Sequence, residues 1–349
     1  MNHRNIFFIF LYTHLAFSYG ASVMTLNFPI GAAGAGMGET GVSYSENLSS
    51  VFYNPAHPAF FHREQNLALI MEAGFEPILP ELQLPDLWHS AGAVSYAVPQ
   101  LFPSIDAAFS IWNNFLHFGE VTHHEDNRTS RAYEWAMGYT VSGAWKEYIG
   151  TGITVKHFTS IFEKDSAEAR GAAFDFGLRG QYHFDLPRGI RFTPSAGVSL
   201  ANIGDSVSYS DSERNNTIPR TLRSGIGLRT TYTPLADLLL TYDNQVVLYS
   251  TRTESLPMHN WGAQLRITPF TAFRCGFLYD RSGSREEFSL GWGVGYNRAH
   301  FHEFIHGPGE YRKSSNIRIW YDGSVIAKDG TDQIRSGQHH HTLSFGFYR

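Results

Sequence analysis

The sequence predicts an all-β protein: a closed antiparallel transmembrane β-barrel of about 14 strands, with an N-terminal hatch or plug segment in its lumen. Three observations predict it. Side chains alternate apolar and polar with period two along many stretches, the composition is poor in charge but rich in rings and glycine, and the connections alternate between short and long. Period two places successive side chains on opposite faces of a sheet.

Charged residues are 17% of the 349, aromatic residues 15%, and there are 33 glycines. That balance suits strands with lipid-facing rings better than a soluble enzyme. The net charge of −5 excludes the concentrated basic surface that nucleic-acid binding requires. No stretch holds the roughly 18 consecutive apolar residues of a membrane helix, so any crossing must be by strands. A single cysteine, Cys275, leaves no disulfide framework for an exported chain.

Residues 1–20 read as a signal peptide: Arg4 precedes an apolar run over 6–17, and small residues follow at Ser18, Gly20 and Ala21. Cleavage is expected near Ser18 or Gly20. Residues 21–65 form the expected hatch, rich in small residues that suit a backbone pressed closely against another surface. Within it, Gly36, Met37 and Gly38 belong to a structural glycine run, and Asn54, Pro55 and Ala56 to a helix start. Asn54 is the N-cap and Pro55 the first helical residue, with Pro58 expected to keep the helix short.

Residues 66–349 supply the expected barrel. The clearest strand sets Phe174, Phe176, Leu178 and Tyr182 against Ala173, Asp175, Arg179 and Gln181. Phe288, Leu290, Trp292, Val294 and Tyr296 likewise oppose Ser289, Gly291, Gly293 and Gly295. Such strands need about ten residues to cross a bilayer. Short turns are expected at 99–104, 145–148, 185–189, 233–235, 268–270 and near 297. Longer loops are expected at 75–89, 114–132, 162–171, 202–220, 248–259, 281–285 and 307–340. A strand is placed at 299–305, and the last strand, 342–349, is expected to seal against the first, 66–74. Pro194 and Gly197 mark a candidate gap in the wall.

The stretch 36–60, GMGETGVSYSENLSSVFYNPAHPAF, resembles the N-terminal signature of the PorV-like proteins of type IX secretion, a branch of the FadL-like outer-membrane barrels. The resemblance continues over 174–182, 196–211 and 218–228. It implies a fourteen-stranded barrel with an internal hatch, in which Asn54-Pro55-Ala56 matches the hatch motif. His57 departs from the family's pattern, and so does the long 307–340 segment. The implied location is the outer membrane of a Gram-negative-type bacterium. Implied partners are outer-membrane lipid, type IX translocon components and secreted cargo with C-terminal sorting domains. The FadL branch offers the alternative of a conduit for a hydrophobic small molecule.

Catalysis is not expected, since the chain has no GxSxG elbow. The glycine run is not a phosphate loop, because no strand precedes it and no Lys-Ser/Thr follows. No cofactor is expected. His339, His340 and His341 are the most conspicuous candidate metal ligands, but without carboxylate or Cys companions at ligand spacing the expectation is no metal site. Arg179, Arg223, Arg229, Arg266, Arg274, Asp175 and Asp280 fall on lumenal faces, where pairing inside a plugged barrel is expected.

Overall fold

The computed structural model describes residues 22–28, 30–65, 67–78, 87–122, 129–163, 167–209, 216–232, 236–248, 257–267, 270–281, 285–298, 301, 305, 317–328 and 338–347. Residues 1–20, read as a signal peptide, lie outside them, as do His123, His124, His300, His302 and His306.

The wall consists of β1 (Leu69–Pro77), β2 (Leu87–Phe102), β3 (Ile105–Thr122), β4 (Thr129–Trp145), β5 (Ile149–Glu163) and β6 (Ala167–Gln181). It continues through β7 (Phe184–Leu186), β8 (Ile190–Ile203), β9 (Thr221–Tyr232), β10 (Ala236–Val247) and β11 (Met258–Ile267). It ends with β12 (Thr271–Asp280), β13 (Arg285–Asn297), β14 (Ile317–Lys328) and β15 (Gln338–Phe347). Each pairs antiparallel with its chain neighbours, and β15 closes on β1 from Leu69↔Phe347 to Phe75↔His341. The three-residue β7 prolongs the line of β6 while β6 itself pairs with β8, so the fifteen segments make fourteen staves. Closure pairs every strand on both sides across the middle of the wall, the condition for strands to cross lipid; β6 runs on past its pairing with β8, over residues 167–173.

Alternation runs the way a membrane demands. Phe109, Tyr139, Val155, Phe176, Leu178, Ile226, Phe273 and Leu290 are exposed on the outer face, while Glu134, Lys156, Asp175, Arg179, Asp243 and Arg274 are buried on the inner one. Rings gather near both rims. Where β1 begins and β15 ends, the near end, Tyr148 stacks on Tyr182 at 5.6 Å. At the far end Trp88 stacks on His117 at 5.3 Å and Phe115 on Tyr133 at 5.6 Å, as aromatic belts do at headgroup level.

Several sequence expectations need correction. Strands β2 to β6 reach 15 to 18 residues, which shortens the loops expected at 114–132 and 162–171. The alternation fades there because inward Leu116, Phe118 and Ala132 are themselves apolar, packed under Met24 and Phe28. Of the strand expected at 299–305 only Phe301 and Ile305 lie among the described residues, and both, like Arg298, are helical rather than extended. Phe301 and Ile305 stand four residues apart, one helical face, and Phe301 packs on Phe270 and Tyr296. The missing stave is β14, inside the expected 307–340 loop; its inward Trp320 and Ile326 blur the period-two pattern. Pro194 and Gly197 open no gap, since β8 pairs with β9 without interruption from Ile190 to Ala201.

The lumen is filled by residues 22–65. They carry a 3-10 turn at Met24–Leu26, α1 (Ala32–Gly36), a second 3-10 turn at Leu48–Phe52 and α2 (His57–Gln65). Pro58 does not shorten α2, because it occupies the first turn, where its missing N–H has no helical partner to lose.

Candidate functional site in the barrel lumen

The irregular backbone of the lumenal segment has donors that no helix or strand satisfies, and buried donors must find acceptors. Wall carboxylates and hydroxyls supply them. Asp243 Oδ2 accepts from Gly41 N–H at 2.6 Å and Val42 N–H at 2.9 Å. Glu72 accepts from Leu48 N–H at 3.0 Å and Ser49 N–H at 3.3 Å, and Glu134 from Thr25 N–H at 2.8 Å. Ala32 N–H donates to Thr342 Oγ1 at 2.8 Å and Gly38 N–H to Ser289 Oγ at 3.0 Å. The segment is thus tied to β1, β4, β10, β13 and β15.

Asn54, Pro55 and Ala56 lie against β5 and β6. Asn54 Oδ1 accepts from Ala56 N–H at 3.0 Å, fixing the turn into α2, while its Nδ2 donates to Val42 O at 2.9 Å and Leu178 O at 3.1 Å. One side chain therefore joins helix start, lumenal loop and wall. The approach is so close that a Cβ at Gly177 would overlap Asn54 Oδ1. Gly36, Met37 and Gly38 sit elsewhere, against β11 to β13. Gly38 has φ +66°, and its backbone lies where a Cβ of Gly276 would be. Met37 packs with Tyr44 and Leu239.

Sequence reasoning named His57 and Arg179 separately and missed that together they lock α2. His57 is fully buried; its Nε2–H donates to Gly41 O at 2.5 Å and its Nδ1 accepts from Arg179 at 3.1 Å. Burial, with Arg179 beside it, holds the imidazole neutral, well below its usual pKa. Arg179 also reaches Glu64 at 3.1 Å and lies over the Tyr44 and Phe60 rings. Arg179 was visible as an inward charge on β6; its partners are 115 and 122 residues away, beyond any local signal.

Ion pairs crowd the lumen beside β9 to β14. Arg229 bonds Asp237 at 2.8 and 2.9 Å, and Arg274 bonds Asp322 at 2.7 Å. Arg266 and Gln264 converge on Glu46 of the lumenal segment. On the other side, Lys156 and Asp175 pair at 2.7 Å. The expected pairing of lumenal charges therefore holds at Arg179, Arg229, Arg266, Arg274 and Asp175. Arg223 donates instead to Phe52 O and Gln245.

The histidine run does not converge. His339 and His341 face outward, His341 bonding Tyr321 Oη at 2.7 Å, while His340 faces inward to Glu76. Glu76 also holds His89 at 2.9 Å. Among the described residues no group of three or more His, Cys, Asp or Glu is placed to hold a metal ion.

Beside β1 to β6 the lumen also holds an apolar cluster, next to the buried Lys156–Asp175 pair, whose Lys156 Nζ lies 5.5 Å from the Trp112 ring. One continuous cluster runs from Val207, Ile218, Ala169 and Ala173 at the far end through Phe158, Trp112 and Phe52 to Phe61, Leu67 and Ile70 at the near end. Trp112 Nε1–H has no acceptor among the described residues. At its far end this column meets a lapse in the wall. β6 pairs with β8 only from Phe174 to Gln181, so among the described residues no strand pairs with its residues 167–173 on that side. The segment after β8 covers them instead: Gly204 packs on Ala172 and Ala173, and Tyr209 Oη bonds Ser160 Oγ at 3.0 Å.

No family model matches the chain, and no curated protein matches it. It is similar to solved barrel structures at low sequence identity. The Ralstonia pickettii toluene transporter TbuX aligns with 11% identity and a TM-score of 0.49, over 91% of this chain and 97% of that one. The Pseudomonas putida toluene transporter TodX gives 9%, 0.48, 92% and 98%, and a Pseudomonas aeruginosa FadL homologue 10%, 0.43, 90% and 96%.

Proposed function

We propose that the chain is an outer-membrane conduit for a small apolar molecule, exported by a cleaved signal peptide at 1–20, with 21–65 as the hatch and 66–349 as the barrel. The observation that carries this reading is the junction of the apolar column with the unpaired stretch of β6. A molecule entering at the far end meets Trp112, Phe158 and Ala169, with the Lys156–Asp175 pair closed on itself beside the Trp112 ring, and leaves sideways into the bilayer at residues 167–173. It need not cross the arginine ion pairs beside β9 to β14, and so the hatch need not move aside.

The test is uptake of a radiolabelled hydrocarbon by cells displaying the barrel. Ala169→Trp plugs the column where it meets the seam and should abolish barrel-dependent uptake while heat-modifiable gel mobility, the sign of a closed barrel, is retained. Undiminished uptake in a folded Ala169→Trp barrel would refute the route.

A second reading, docking of type IX translocon components and secreted cargo, follows from the resemblance of 36–60 to PorV-like proteins. The sealed lumen favours it: a barrel tied to its hatch from β1 to β15 can serve as a rigid platform. Co-purification of a translocon from native membranes would support it, and recovery of the barrel with no protein partner would count against it.

A further inference from the structure

The outer face of β9 to β13 carries a hollow that the lumenal route does not use. In register across the wall, Ile226, Tyr242, Trp261, Phe277 and Phe288 form one outward row. The next row toward the near end reads Leu228, Leu240, Ala263, Cys275 and Leu290, and the row after that includes Leu238, Leu265, Phe273 and Trp292. Two small side chains, Ala263 and Cys275, therefore stand opposite each other between rows of large ones. The floor beneath them is the backbone of Gly227, Gly262 and Gly276, and Met37 and Gly38 of the hatch press on Gly262 and Gly276 from inside. At this place the wall is one backbone thick.

The hollow measures about 550 Å³, within the ~300–1,000 Å³ of sites that hold one small molecule. No charged side chain lines it. Thr241 turns its hydroxyl inward to Thr40 at 2.7 Å, and Tyr242 bonds His259 at the rim at 2.8 Å, so no polar group waits for a polar ligand. The hollow is continuous with the exposed apolar face that Leu238, Leu265 and Phe273 present to the bilayer.

We infer that this hollow is a binding site for one acyl chain of a lipid of the surrounding membrane. The chain lies over Ala263 and Cys275 between the rings of Trp261 and Phe277, and its headgroup reaches the Tyr242–His259 rim. The same rows explain why an acyl chain fits better than a protein surface: the site is narrow, apolar and without directional bonds.

Native mass spectrometry of the detergent-solubilised full chain, with dioleoyl phosphatidylethanolamine as the probe, tests this. Wild-type barrel should keep one phospholipid at detergent levels that strip the rest. Ala263→Phe and Cys275→Leu, each filling the hollow from outside, should lower that retention about tenfold, a loss of ~1.4 kcal/mol. Val141→Phe, outward on β4, should leave it unchanged, and Cys275→Leu carries the test if Ala263→Phe fails to fold. Equal retention in wild type and the filled variants would overturn the assignment, as would equal loss in Val141→Phe, or a dimer in place of bound lipid.

Discussion

At Asp243 two hatch donors, Gly41 N–H and Val42 N–H, end on one carboxylate oxygen. Asp243→Ala leaves both buried without an acceptor, and each such group costs about 1–3 kcal/mol. Asp243→Asn keeps an oxygen there and should cost less; urea unfolding followed by gel mobility ranks the two. At Arg274 and Asp322 the sign depends on what is removed. Arg274→Met leaves the Asp322 carboxylate buried without its cation and should destabilise by about 3–5 kcal/mol, whereas Arg274→Met with Asp322→Asn, which removes both charges and keeps an oxygen for the Trp320 and Asn47 donors, should recover much of that loss. If the double variant is as unstable as the single one, the pair is not the source of the cost. Inward charges such as Arg274 were legible from period two alone, but their partners across the lumen were not, because nothing in a strand's own sequence encodes what fills the barrel.

The hatch is held at α2 by two neutral imidazoles. Burial lowers the pKa of His62 from 6.5 to about 4, while its ring joins Leu67 O at 2.8 Å and Ser95 Oγ at 2.7 Å. A released hatch takes up a proton more readily than a docked one, so docking is at full strength above about pH 6.5 and weakens as pH falls toward about 4. Protease cleavage of the hatch, measured across that window, should rise on acidification; a flat profile would show that neither His57 nor His62 holds α2. Shortening the segment around Asn54-Pro55-Ala56 should likewise make the barrel leaky to ions, and unchanged conductance with normal folding would refute that. The turn at Asn54 was readable because its side chain caps a local N–H, that of Ala56, but α2 begins at His57 and not at the expected Pro55, because Pro55 and Ala56 form a turn ahead of the helix. β14 was not readable, because Trp320 and Ile326 on its lumenal face hide the alternation, while Phe301 and Ile305, four apart, fit period two as well as the helical spacing that they adopt.

Over the whole molecule, the fourteen-stave barrel was legible from the repeated turns and loops, since their alternation counts hairpins even where individual boundaries shift. The division of the lumen was not legible. It arises because the hatch presents Leu48, Val51, Phe52 and Phe61 toward β1 to β6 and Glu46 toward Arg229 and Arg266, a choice made only once the chain is folded inside the wall. That division separates two kinds of permeation. Proteoliposomes holding the full chain can be assayed at once for ion conductance and for transfer of a hydrocarbon tracer. A sealed hatch with an apolar side route predicts tracer transfer without ion conductance, with transfer lost in Ala169→Trp. Ion conductance through the intact barrel, or no tracer transfer above protein-free vesicles, would contradict it.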